Sequence, residues 1–73
     1  MEQEFLEFTA GVLGVPVSEI SLGTQYKEFD KWDSLMMLTL TMELEAQYNV
    51  TIPMEEIEGV QTLNDLYRFV ASN

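Results

Sequence analysis

Asp33-Ser34-Leu35-Met36-Met37-Leu38-Thr39-Leu40-Thr41-Met42-Glu43-Leu44-Glu45-Ala46-Gln47-Tyr48 is the most apolar stretch of this 73-residue chain, and its periodicity decides the fold. Met37, Leu40, Thr41, Leu44 and Tyr48 recur at helical spacing and form one core-facing stripe. Leu35, Leu38 and Met42 form a second. At about 100° per residue, Leu35 to Leu38 alone cover most of a helix circumference, more than so short a chain can bury. Part of this helix is therefore expected to meet solvent or a partner, and the surplus lies beside Ser34. Asp33 is suited to cap the helix and Asn49 to end it.

Outward from this segment, the rest of the chain reads as helices and connections. Upstream, Glu2 to Leu13 carries Phe5, Leu6, Phe8, Val12 and Leu13 at helical spacing, with Glu2, Glu4 and Glu7 in the turns where the helix dipole favours anions. Gly14 and Pro16 stop it. From Val15 to Asp33 no period is sustained. The spacing predicts a long connection with one helical turn near Ser18 to Ile20, pinned to the core through Val17, Ile20, Leu22, Tyr26 and Phe29. Downstream, Tyr48 to Ile52 alternates weakly, but one five-residue strand without a partner cannot make a sheet. Pro53 opens a short helical turn through Glu58, ended by Gly59. Thr62-Leu63-Asn64-Asp65 is a capping-box pattern, with Asp for the usual Glu, at the head of a final helix through Leu66, Tyr67, Phe69 and Val70. The expectation is an all-α bundle of three longer helices and one short one, with a long loop between the first two, forming a single domain over 1–73.

Composition bounds the function. Thirteen Asp and Glu against three Lys and Arg give a net charge of −10, which disfavours nucleic acid and anionic lipid and favours basic protein surfaces. The chain has no Cys and no His, so thiolate chemistry is absent, and so is the commonest general base near neutral pH. Ser34 therefore lacks the base that a serine hydrolase needs. An EF-hand begun at Asp30 fails, because Leu35 falls where Gly is required and Thr41 where the bidentate Glu belongs. No metal site and no catalytic residue are expected. No stretch approaches the roughly 18 apolar residues of a membrane span, and the acidic start Met1-Glu2-Gln3-Glu4 is unlike a secretion signal, so a cytoplasmic monomer is the expectation.

Asp33-Ser34-Leu35 at the head of an acidic, apolar second helix resembles the acyl carrier proteins. The context carries the resemblance: a first helix, a long pinned loop, the tripeptide, the acidic pair Glu43 and Glu45, then Tyr48-Asn49-Val50-Thr51-Ile52-Pro53 before a short third helix. It spans the whole chain. The resemblance implies a four-helix fold, a carrier rather than an enzyme, and a 4′-phosphopantetheine arm attached covalently to Ser34, flanked by Asp33 and Leu35. It also implies a phosphopantetheinyl transferase (holo-acyl-carrier synthase) as partner, with acyl ligases, acyltransferases, ketosynthases or other acyl-processing enzymes of fatty-acid, polyketide or related pathways. Leu35, Met36, Leu38 and Met42, with Glu43, Glu45 and Glu56, form the expected docking set. Leu40, Leu44 and Leu66 are candidates for lining an acyl cleft, though core packing explains them equally well.

The chain departs from fatty-acid-synthesis carriers in two respects. Lys31 stands where these commonly have Gly, and is followed by Trp32; Met36 and Thr39 stand where they carry acids. Loss of rim acids changes association rate and salt dependence, so the departures point to a specialised rather than a housekeeping carrier. Two other readings stay open. A peptidyl or aminoacyl carrier is disfavoured by Asp33, because these more often have Gly-Gly-x-Ser. An unmodified acidic interaction domain would use the Met-rich face without an arm.

Overall fold

The computed structural model describes residues 1–72. Helix α1 spans Glu2–Leu13, α2 Ser34–Tyr48, α3 Met54–Ile57 and α4 Leu63–Ala71. The bundle measures 26 × 24 × 18 Å.

Local chemistry explains each boundary. Gly14 ends α1 in the left-handed region at φ 76°, where its N–H returns to the Ala10 carbonyl; an L-residue would be strained there. Asn49 ends α2 in the same region at φ 56° and returns its N–H to the Glu45 carbonyl. The capping box at the head of α4 closes between Thr62 and Asp65. One Asp65 oxygen accepts the N–H groups of Gln61 and Thr62 at 2.9 and 3.1 Å.

The core is drawn from the three longer helices and the connections between elements. Phe5, Leu6, Ala10 and Leu13 of α1, Met37, Leu40 and Leu44 of α2, and Leu63, Leu66 and Val70 of α4 are buried together with Trp32 and Ile52. Leu40, Leu44 and Leu66 are fully enclosed in this core. Their burial fits core packing, the other of the two roles open to them.

The long connection is structured. It holds the expected turn, as a 3-10 turn at Val17–Glu19, and a second at Tyr26–Glu28 that the sequence pattern does not announce. It is also laced to the head of α4. Tyr26 N–H donates to the Gln61 carbonyl at 2.8 Å, Leu63 N–H to Thr24 at 3.1 Å, and Asn64 N–H to Leu22 at 2.9 Å. Backbone pairing replaces the periodicity that the segment lacks. Tyr48 to Ile52 forms no strand, as expected.

Candidate functional site

Ser34 is the first residue of α2, and it is exposed. Asp33 precedes it in extended conformation, and its carboxylate accepts the Met36 N–H at 2.8 Å, as an N-cap does. The Met37 N–H goes to the Asp33 carbonyl at 2.7 Å. The N–H groups of Ser34 and Leu35 have no carbonyl partner within the helix, so Ser34 Oγ sits at the positive end of a fifteen-residue helix dipole. That arrangement suits an attached phosphodiester: one negative charge, at a helix start, on a side chain open to solvent.

Two cavities flank Ser34. One, about 370 Å³, is bounded by Ser34, Met37 and Leu38 of α2, Met54 and Ile57 of α3, and Tyr26 and Val60. It continues into a second apolar hollow of about 260 Å³ that shares Leu38, Met54 and Ile57 and adds Thr41, Met42, Glu45 and Ile52. Together they form an apolar groove between α2 and α3 that opens beside Ser34. On the other side lies a more polar hollow of about 370 Å³, lined by Lys27, Phe29, Trp32 and Asp33. Trp32 is only 1% exposed and packs edge to face on Tyr26, so it is a core anchor of the loop, and Phe29 is half-buried.

The structure divides the expected docking set. Leu35 is 74% exposed, Met42 68% and Leu38 43%; Met54, which sequence reasoning missed, joins them at 62%. Glu43 and Glu56 are exposed. Met36 and Glu45 are not part of that outward face. Met36 is half-buried and packs against the core, so the apolar surface expected at this position lies instead at Leu35, Leu38, Met42 and Met54. Glu45 is half-buried, and its carboxylate accepts the Ile52 N–H at 2.8 Å. Met54 was missed because it belongs to a helix of four residues, too short to show a period.

Residues 3–70 match the family described as "Phosphopantetheine attachment site". The chain belongs to this family of carrier domains, which bear a covalent 4′-phosphopantetheine and carry substrate without transforming it. Among curated relatives, the acyl carrier protein of Rubrobacter xylanophilus is 35% identical over 71 residues, covering 97% of this chain and 88% of that one. The acyl carrier protein of Paenarthrobacter aurescens is 32% identical over 73 residues, covering 90% of each. Among solved structures, the apo doublet acyl carrier protein from prodigiosin biosynthesis superposes with a TM-score of 0.77 at 24% identity, over 97% of this chain and 34% of that chain. That likeness concerns the fold, and this chain spans about a third of that one. No helix among the described residues is long and apolar enough to cross a membrane.

Proposed function

We propose that this protein carries acyl groups as thioesters on a 4′-phosphopantetheine arm attached to Ser34, and shelters them in the groove between α2 and α3. One observation carries the reading: an exposed serine at the first position of α2 stands at the mouth of an apolar groove lined by Leu38, Met54 and Ile57. When the arm is attached, its terminal thiol supplies the acyl attachment point that a chain without Cys lacks. The Ser34 oxygen forms the phosphodiester bond as the pyrophosphate bond of coenzyme A breaks. The serine proton passes to the transferase, and 3′,5′-ADP leaves. Within the chain, Asp33 holds the helix start rigid and presents a carboxylate one residue from the acceptor.

Intact mass after incubation with coenzyme A and a broad-specificity transferase tests the attachment. One added arm, lost in Ser34→Ala, is the expected result; no gain in mass favours an unmodified interaction domain. The pathway, whether fatty-acid, polyketide or specialised, follows from which enzymes accept the loaded carrier. The exposed Leu35, Leu38, Met42 and Met54 support a dedicated ligase, ketosynthase or transferase with an apolar contact surface ringed by fewer basic groups. Acylation by a housekeeping fatty-acid enzyme as fast as that of its own carrier overturns the dedicated-partner reading.

A further inference from the structure

Glu45 makes an unusual set of bonds for a residue on an acidic, outward-looking helix. Its carbonyl accepts the N–H groups of Asn49 and, at 3.3 Å, Val50. Its carboxylate reaches seven residues along the chain to the Ile52 N–H at 2.8 Å. One residue thus accepts three bonds, from Asn49, Val50 and Ile52, in the turn that joins α2 to α3. Ile52 is buried at the end of that turn, and both Glu45 and Ile52 line the inner part of the groove.

Few side chains fix the far wall. Helix α3 has four residues and no side-chain cap, buries none of its side chains fully, and keeps Met54, Glu55 and Glu56 at the surface. Its position is set by the half-buried Ile57, which packs against the core, and by the buried residues that flank it, Ile52 before and Val60 after. An element with so few buried contacts belongs to the low-stability end of a fold, where local opening is cheap. A hydrogen bond to a carboxylate is about twice as strong as one to a neutral acceptor, so the Glu45 carboxylate adds a strong directional tie to the burial of Ile52.

We propose that Glu45 is the positioning residue of the acyl groove: by clamping the Ile52 N–H it holds α3 against α2, and so determines whether a medium-length acyl chain is sheltered. This inference rests on the groove reading above and reassigns Glu45 from partner docking. A chain too short to pass Leu38 does not sense the clamp, whereas one that reaches Ile52 and Met54 does.

The test uses the full chain loaded by a transferase from acetyl- or octanoyl-coenzyme A, with cleavage of the thioester by hydroxylamine as the readout. In the natural protein the octanoyl thioester is expected to be cleaved more slowly than the acetyl one. Glu45→Ala removes the acceptor, and Glu45→Asp keeps the charge but is one methylene too short for Ile52. Both are expected to speed octanoyl cleavage about fivefold while leaving acetyl cleavage unchanged. Glu45→Gln retains an acceptor of the same length and is expected to restore most of the protection. Retention of octanoyl protection in Glu45→Asp overturns the clamp and leaves the groove reading standing; if Glu45→Ala does not fold, the Asp and Gln variants still decide. Equal cleavage of the two thioesters in the natural protein overturns both.

Discussion

Tyr26 and Trp32 pack edge to face, with ring centroids 5.3 Å apart and planes at 70°; Tyr26 lines both hollows that flank Ser34, and Trp32 the more polar one. Trp32 lies two residues before Ser34 and is among the largest fully buried side chains. The loop is therefore fixed immediately upstream of the site. Its Nε1–H has no hydrogen-bond partner among the described residues, so its contribution comes from packing and ring contact.

Trp32→Ala is expected to cost about 3–5 kcal/mol, enough to unfold much of so small a domain. Trp32→Phe keeps a ring against Tyr26 and gives up no hydrogen bond, so its cost should stay well below that of the alanine variant. Urea titration followed by far-UV circular dichroism distinguishes the two. Equal losses would mean that the indole N–H is bonded after all.

Asp33 and Ser34 should separate stability from modification. Asp33→Ala removes the acceptor of the Met36 N–H and is expected to cost about 1 kcal/mol. Asp33→Asn retains a cap of equal quality, so it should keep stability while slowing modification, because the carboxylate charge is gone. Ser34→Ala leaves the melting curve nearly unchanged, since the side chain is exposed. Parallel melting curves and initial rates of arm attachment check all three.

Acid should loosen the head of α4. The N–H groups of Gln61 and Thr62, with Arg68 nearby, hold the Asp65 carboxyl below its ordinary value, and partial burial opposes them only in part. A lowered folded value stabilises the fold in full above the unfolded value of roughly 3.9, and that stability is lost as pH falls through the folded value. The stability difference between the natural protein and Asp65→Asn should therefore shrink as pH is lowered from about 5 to about 2. A difference that stays constant over that range would show that the Asp65 charge does not stabilise the capping box.

The helices were legible because their signals are local. Gly14, Asp33, Asn49 and the Thr62–Asp65 pair each act within a few residues, and α2 declares two faces by period alone. The loop was less so, because its order comes from bonds such as Leu63 N–H to Thr24, which span nearly forty positions and leave no periodic trace. The place of Ser34 at the head of α2 and an apolar surplus at Leu35, Leu38 and Met42 followed from spacing. Glu45 and Met36 did not. Which side of α2 an acid or a methionine occupies depends on where the α2–α3 turn returns, and that is a tertiary fact. For Leu40, Leu44 and Leu66 the stripe left core and cleft equally open, because an apolar period does not reveal how closely its members meet a partner element.

The two positions where the chain lacks the family's acids are physically unequal. Thr39 is exposed and its hydroxyl bonds only the Leu35 carbonyl at 3.2 Å within its own helix, whereas Met36 is half-buried against the core. Thr39→Glu is therefore expected to change stability by less than about 0.5 kcal/mol. Met36→Glu forces a carboxylate toward the core and should cost about 1–3 kcal/mol, with a raised carboxyl pKa. For a partner with a basic docking face, Thr39→Glu should raise the association rate a few-fold at low salt, and the gain should vanish as the Debye length shrinks to about 3 Å at 1 M salt. Stopped-flow association at two ionic strengths, set beside urea titrations of both variants, measures each part. A salt-independent response to Thr39→Glu would mean that the partner meets this stretch of α2 through apolar contact with the exposed Leu35 and Leu38 beside it.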